Sequence, residues 1–381
     1  MRLEELDFDF PEELIAQHPA EPRDSCRLLH LQPSGRLDHR VFSELPDILL
    51  PGDMLVFNDS RVLPARLHAH KTTGGEVEVL FLRPLEVGGD TALQAGRSPA
   101  EVWEALARPS HRLRPEQQLI LDGGEEITLR SSLGEGRWMV VGPPGRSLVT
   151  IMEAHGKMPL PPYIRTYPDR PDSYQTVYAA VPGSAAAPTA GLHFTLPLLE
   201  RLQEEGVDSV RVTLHVGLDT FLPIREEVVE DHRIHRETYS VQAGALARIV
   251  ETKRAGRRLV AVGTTVARVL ETLARTGALE GSATQSTVGG STDIYITPGH
   301  HFQAVDALLT NFHLPRSTVL VLTTAFAGAK RLRCAYQEAI RLRYRFFSFG
   351  DAMLIERPDQ SAATGPAPDG AAVRGTVPEE S

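Results

Sequence analysis

Residues 259 to 270 read LVAVGTTVARVL. Four apolar residues, two of them valines, make a short strand buried on both faces. Gly263 ends it, Thr264 and Thr265 follow, and VARVLETLAR continues at helical spacing. A buried strand that turns at a glycine into a helix is the repeating unit of an α/β fold. The turn leaves backbone N–H groups and hydroxyls at the strand's C-terminal edge, where open α/β sheets bind ligands. It is neither G-x-G-x-x-G nor a P-loop, so it lends no support to dinucleotide or triphosphate binding. Capping of the helix by Thr265 is the plainer use.

The same alternation extends in both directions. MLVF (54–57) is a buried strand, followed by NDSR as a polar loop. LPLLERLQEEGV is a helix with Leu198, Leu199 and Leu202 on one side, and VRVTLHVG is a strand. GALARIVETKRAGRR is a helix. VDALLTNF and LPRSTVLVLTTAFAG read as a helix or turn followed by a strand, and AYQEAIRLRYRFFSFGDAMLI as a basic helix and a final strand. Between about 62 and 150 the texture changes. GEVEVLFL puts Val77, Val79 and Phe81 on one strand face, QLILDGGEEITLRSS is a hairpin, and RWMVV is another strand. PAEVWEALARP is the one helical interruption. Closely spaced short strands predict a small all-β barrel. The expected fold is therefore α/β: a mixed, barrel-like α/β domain in two pieces (1–61 and 151–357), an inserted small β-barrel domain (62–150), and a disordered Ala/Gly/Pro/Ser-rich tail (358–381).

The bulk numbers exclude several classes. The 381 residues are 41% hydrophobic and 23% charged, an ordinary globular balance. No run approaches the roughly 18 uncharged apolar residues of a membrane span, and the acidic start MRLEELDFDF does not read as a secretory signal. Cys26 and Cys334 are far apart, with no C-x-x-C, which favours a reducing cytoplasm over a disulfide framework. The net charge of −9 argues mildly against nucleic acid, but a binding footprint is set by the local field.

Several clusters could carry chemistry. AAAPTAGLHFT (185–195) sets His193, Phe194 and Thr195 side by side, and TNFHLPRST (310–318) sets Asn311, Phe312 and His313 likewise. An aromatic ring can stack on a base while Asn and His read its edge, although a loop His satisfied by carbonyls is equally common. FNDSR (57–61) offers Asn58, Asp59 and Arg61 to a polar ligand or to an Asx turn. DHRIHRE (231–237) holds His232, His235 and Glu237, but its spacing fits no metal motif, and no metal is expected. Arg331, Arg333, Arg341, Arg343 and Arg345 form a basic patch interleaved with aromatics, Arg341 and Arg345 sharing a helix face at i, i+4. RPSHRLRP adds Arg108, Arg112 and Arg114.

The ordered set of blocks resembles one family. FNDSRVLPARL, WEALARP, MPLPPYI, AAPTAGLHFT, LHVGLDTF, GTT, DALLTNFHLPRST and EAIRLRYRFFSFGDAMLI together resemble the S-adenosylmethionine:tRNA ribosyltransferase-isomerases of queuosine biosynthesis, from about residue 5 to about 357. The resemblance implies an α/β domain interrupted by a β-barrel. It implies transfer of the ribosyl part of S-adenosylmethionine to 7-aminomethyl-7-deazaguanine at the wobble position of tRNA, with adenine and methionine released. S-adenosylmethionine is then a consumed co-substrate, and no retained cofactor is expected. Partners would be that tRNA and the sulfonium donor, with no membrane, and the protein would act as a cytoplasmic monomer.

On that reading His193 and His313 are the candidate base and adenine contact, in either order, and Asp59 is a third candidate catalytic group. Asn58, Arg61, Thr189, Gly191, Phe194, Thr195, Thr264, Thr265, Asp306, Asn311 and Phe312 are expected on the substrates, and the five arginines of 331–345 on tRNA phosphates. Val266 stands where the family commonly has Ser, and Asp219 and Leu222 where it commonly has Gly and Arg. A non-catalytic RNA-binding protein and a nucleosidase-type hydrolase are the alternatives. The hydrolase would want an inward carboxylate pair, and none stands out.

Overall fold

The computed structural model describes residues 1–85, 100–168, 170–217, 224–234, 236–280 and 287–358. The expected tail, from residue 359 onward, and positions 219, 222 and 235 lie outside these described residues.

Chain order begins with β1 (Arg27–Leu31), β2 (Leu37–Val41), β3 (Met54–Asn58) and β4 (Ser60–Val62). The barrel strands follow: β5 (Arg66–Lys71), β6 (Glu76–Pro84), β7 (Val102–Arg108), β8 (Gln117–Leu121), β9 (Glu126–Gly134) and β10 (Arg137–Val141). Then come α1 (Leu148–His155), β11 (Val181–Ser184), α2 (Leu196–Glu204), β12 (Asp208–Leu214), β13 (Glu237–Gln242), α3 (Ala243–Arg254), β14 (Leu259–Val262) and α4 (Thr264–Arg275). The last elements are β15 (Thr287–Thr292), β16 (Ala307–Asn311), α5 (Thr318–Ala327), α6 (Ala329–Arg341) and β17 (Ala352–Glu356).

Nine strands form one mixed sheet in the order β15-β13-β12-β3-β14-β16-β17-β1-β2. Its centre, β12, β3, β14 and β16, is parallel. Alternate residues of β14 serve two cores. Leu259 and Ala261 pack under α3, α4, α5 and α6, while Val260 and Val262 face α2 and the Phe42 segment. That two-sided burial is why the strand reads as a continuous apolar run.

The inserted strands close into an antiparallel barrel, β10-β7-β6-β5-β8-β9. Val77, Val79 and Phe81 point inward as their alternation predicts, and Leu148, Ile151 and Met152 of α1 complete the same core. VWEALAR is strand β7, not the helix expected from its Glu, Ala and Leu content. Ala105 and Ala107 are fully buried inside the barrel, where small side chains suit a narrow interior, and pairing with β6 and β10 overrides helix propensity.

Two further expectations change. ALLTN forms strand β16, and the apolar run TVLVLTTAFA forms helix α5, so their order is strand then helix. The helix is apolar on nearly every side because it is buried, which removes the periodicity that would distinguish it from a strand. Its start is nonetheless marked: the Ser317 hydroxyl accepts from the Leu320 N–H at 3.3 Å. NDSR is not all loop, since Ser60–Val62 pairs in parallel with β11. Arg341 and Arg345 do not share a helix face either. Helix α6 ends at Arg341, and Arg343 sits at φ 55°, so the chain turns away before Arg345.

Candidate functional site

The four parallel strands end on one edge of the sheet, at Asn58, Leu214, Val262 and Asn311. Gly263, at φ +95°, adopts a conformation that favours glycine and turns β14 directly into α4. Thr264 and Thr265 thereby open the first turn of that helix. Thr265 does not cap with its side chain; its buried hydroxyl has no hydrogen-bond partner.

Two cavities meet at this edge. A cleft of about 1620 Å³ runs between the barrel and the sheet edge, and a recess of about 70 Å³ adjoins it. Val216, Thr264, Thr265 and Val319 line both. Among the described residues the cleft wall carries nine Lys or Arg side chains (Arg66, Arg83, Arg108, Arg137, Lys157, Arg165, Arg225, Arg236, Arg268) against five carboxylates (Glu78, Glu104, Glu135, Glu226, Glu237). A chain of net charge −9 thus concentrates positive charge along this cleft. The barrel supplies Arg66, Arg83, Arg108 and Arg137. Arg108 belonged to a basic patch visible in the sequence; the others are scattered along alternating strands and only closure of the barrel groups them.

The small recess is lined by Thr189, Asn311, Phe312 and His313, with Tyr163 and Ser348 opposite. Asn311 is locked. Its amide nitrogen donates to His193 Nε2 at 2.9 Å and to the Phe347 carbonyl at 3.3 Å, and its oxygen accepts from the Thr189 hydroxyl at 2.8 Å. His193 therefore carries its proton on Nδ1, which lies 3.3 Å from Cys26 Sγ. The His193 ring is buried against Phe42 and lines neither cavity. Burial, helped by the charges of Arg345 and Arg23, pushes its pKa down to about 3. His313 does line the recess, with Nε2 2.8 Å from the Thr310 hydroxyl. Burial pushes its pKa down to about 3 as well. The two imidazoles thus stand one behind the other, with Asn311 between His193 and the recess, rather than facing a common space.

The remaining sequence candidates fall in several places. Asn58 is a backbone clamp: it donates to the Leu214 carbonyl at 2.9 Å and accepts from the N–H groups of Leu214 and Ser60. Asp59 accepts from the Thr213 hydroxyl at 2.7 Å, and Arg61 pairs with Glu153; neither lines a cavity. Gly191 packs where a Cβ would collide with the Tyr178 hydroxyl. Phe194 is buried edge-on between Phe42 and Phe57. Thr195 caps α2, accepting from the Leu198 N–H, and donates to Asp24. Phe312 packs its ring among Tyr336, Tyr344 and Phe346. Asp306 precedes β16 and binds the Leu259 N–H, so it sits at the opposite end of the sheet from Asn311. Val266 is fully buried in the core and lines neither cavity.

The five arginines of 331–345 are engaged within the protein. Arg331 binds the carbonyls of Ala327 and Gln32, Arg333 that of Glu5, and Arg345 that of His18. Arg341 grips Glu338 through two hydrogen bonds, and Arg343 lies 3.5 Å from Glu13. None lines either cavity. Sequence reasoning missed His215, Arg268 and Tyr295 on the cleft wall. Glu237, weighed as a metal ligand, instead forms a buried ion pair with Arg268. Among the described residues, no group of three or more His, Cys, Asp or Glu side chains could hold a metal ion, and no helix is long and apolar enough to cross a membrane.

Comparison with known proteins gives a consistent picture. The family model described as queuosine biosynthesis protein matches residues 3–355. A Rubrobacter xylanophilus protein named S-adenosylmethionine:tRNA ribosyltransferase-isomerase is 53% identical over 356 residues, covering 93% of this chain and 98% of that one. A protein of the same name from Anaeromyxobacter sp. is 49% identical, covering 94% and 100%. The crystal structure of S-adenosylmethionine tRNA ribosyltransferase from Thermotoga maritima is similar at a TM-score of 0.52 and 37% identity, covering 92% of this chain and 99% of that one.

The two buried imidazoles are testable without substrate. In the unfolded chain a histidine titrates near 6.5; in the folded one His193 and His313 titrate near 3. Between those values the unfolded state binds more protons, so the stability that rests on neutral imidazoles is complete above pH 6.5 and is lost as pH falls toward 3. Each group contributes a slope of up to about 1.4 kcal/mol per pH unit in that window. Urea unfolding between pH 7 and 4 should show His193→Asn with a shallower pH slope than the parent, whatever its absolute stability. Equal slopes would remove His193 from the account.

Proposed function

The chain belongs to the queuosine biosynthesis protein family, and we propose that it transfers the ribosyl part of S-adenosylmethionine to 7-aminomethyl-7-deazaguanine in tRNA, giving epoxyqueuosine with release of adenine and methionine. The observation that carries this reading is the cationic cleft opening at the C-terminal edge of the parallel strands beside a small recess walled by His313 and Asn311. A polyanion needs the first feature, and chemistry on a nucleoside needs the second, a recess that excludes water. Residues 1–61 and 151–357 would form the catalytic unit and 62–150 the insert that closes the cleft. The protein would act in the cytoplasm as a monomer, with no retained cofactor.

The sulfonium acidifies the adjacent ribose carbon. His313 takes that proton: it reaches the recess, and its Nδ1 has no hydrogen-bond partner among the described residues. Ring opening expels adenine, the deazaguanine amine attacks, and epoxide closure expels methionine. His193 acts one step back, fixing the Asn311 amide through Nε2. Thr264 and Thr189 border the same space and position the sugar. Phosphates run along the cleft, against Arg108, Lys157 and Arg225, which are exposed and have no carboxylate partner among the described residues.

Incubation with S-adenosylmethionine and tRNA bearing the aminomethyl base should yield free adenine and a matching mass gain in the RNA. Adenine without RNA modification would mean a nucleosidase; neither product would mean a binding protein. His313→Ala should lower kcat by at least about a hundredfold, the usual worth of a general base, while tRNA affinity stays unchanged. An undiminished kcat would exclude His313 as the base. Replacing Arg108, Lys157 and Arg225 together should weaken tRNA binding and flatten the log–log salt slope by about 0.9 per lost phosphate contact. The same loss from an Arg341, Arg343 pair, and none from the cleft triple, would move the RNA to helix α6.

A further inference from the structure

Among the side chains that line the cleft, Arg66 Nε, His215 Nδ1, Thr265 Oγ1, Arg268 Nη2 and Tyr295 Oη have no hydrogen-bond partner; Thr265 and Arg268, one turn apart on α4, are the two that are buried. Thr265 is 9% exposed and Arg268 7%. Buried donors without partners are rare in folded proteins, because each forfeits hydration without return. Thr265 and Arg268 both line the cleft, where a ligand group would supply the missing partner. Burial holds His215 below its ordinary pKa, leaving it neutral.

Arg268 identifies the sign of that group. Its Nη1 pairs with Glu237 and its Nε donates to the Ile294 carbonyl at 3.3 Å, leaving Nη2 buried without a partner on a residue that lines the cleft. Glu237 is itself pinned by the Gly217 N–H at 3.0 Å, so the guanidinium is held from two sides. Thr265 lies in the first turn of a twelve-residue helix, where the backbone N–H groups have no intrahelical partner and the helix dipole favours negative charge. A guanidinium N–H, a hydroxyl and a helix N-terminus lie within one turn of α4, and a carboxylate fits that set.

We propose that Arg268 Nη2, the Thr265 hydroxyl and the N-terminus of α4 bind the α-carboxylate of the sulfonium donor's amino-acid end, with Glu237 as the positioning residue for Arg268. This rests on the function proposed above, because it requires S-adenosylmethionine in the cleft. The nucleoside end then points from the cleft toward the recess beyond Thr264 and Thr265, which at about 70 Å³ admits only part of the sugar. Recognition of the carboxylate separates the donor from sulfonium compounds that lack it.

The test compares the affinities of S-adenosylmethionine and its decarboxylated analogue, measured by titration calorimetry on the full chain. The parent should prefer the carboxylated donor by about tenfold or more, the usual worth of one charge-assisted hydrogen bond. Arg268→Met should abolish that preference while affinity for the decarboxylated analogue stays within about twofold. Thr265→Val, which leaves the buried ion pair intact, should reduce the preference by about threefold and serves if the arginine variant does not fold. Equal binding of both compounds by the parent, or an undiminished preference in both variants, overturns the proposal. Loss of tRNA affinity and salt slope in Arg268→Met, with the preference unchanged, assigns the site to an RNA phosphate instead. A parent that binds neither compound, and releases no adenine, overturns the functional reading and this subsite with it.

Discussion

Four parallel strands must end together without their own backbone filling the space above them. Each strand end leaves polar groups that require partners, and the chain supplies these from below and from the side. Asn58 ties β3 to β12 through two hydrogen bonds to the Leu214 backbone and accepts a third from the Ser60 N–H. Asn311 is held by His193, Thr189 and the Phe347 carbonyl. Gly263 lets β14 turn at once into α4. The strand ends are therefore held while the edge stays open. Both cavities exist because of it.

The ion pair of Arg268 and Glu237 is the costliest element of this edge. Removing one member of a buried pair commonly destabilises by about 3–5 kcal/mol, since the other charge is left unpaired. An apolar pair of similar volume would avoid that exposure to loss. The pair is better understood as fixing a guanidinium at the cleft wall, with one N–H left over. The same logic separates His193 from His313. Both are kept neutral by burial, but only the second borders a cavity. An imidazole sealed behind Asn311 can orient a side chain without touching what binds beyond it.

Charge shows how poorly a total predicts a surface. The chain carries −9 overall, yet its cleft collects nine cationic side chains against five carboxylates. The arginines most conspicuous in the sequence, at 331–345, line neither cavity and each contacts a carbonyl or carboxylate of the protein itself, although Arg341 and Arg343 stay largely exposed. The less conspicuous Arg66, Arg83 and Arg137 come from three strands, where alternation places them near one another only after the barrel closes. A run of basic residues on a line of sequence carries no information about which of them will find internal partners.

Much of the architecture was legible beforehand. The strand–glycine–helix unit at 259–270, the hairpin around Asp122–Gly124 and the alternation of Val77, Val79 and Phe81 are local patterns, and local patterns survive folding. Strand β7 and helix α5 were misread because burial, not periodicity, decides such segments: alanines inside a narrow barrel resemble a helix, and a helix buried on all sides resembles a strand. The family was legible from motif order alone. What the sequence by itself determined was the α/β frame with a β-barrel set into it, and the family. Only the tertiary structure decided which histidine meets the cavity, which arginines keep an unspent donor, and that Asp306 lies at the far end of the sheet. Those outcomes depend on contacts between residues tens to hundreds of positions apart, and spacing along a chain does not encode them one by one.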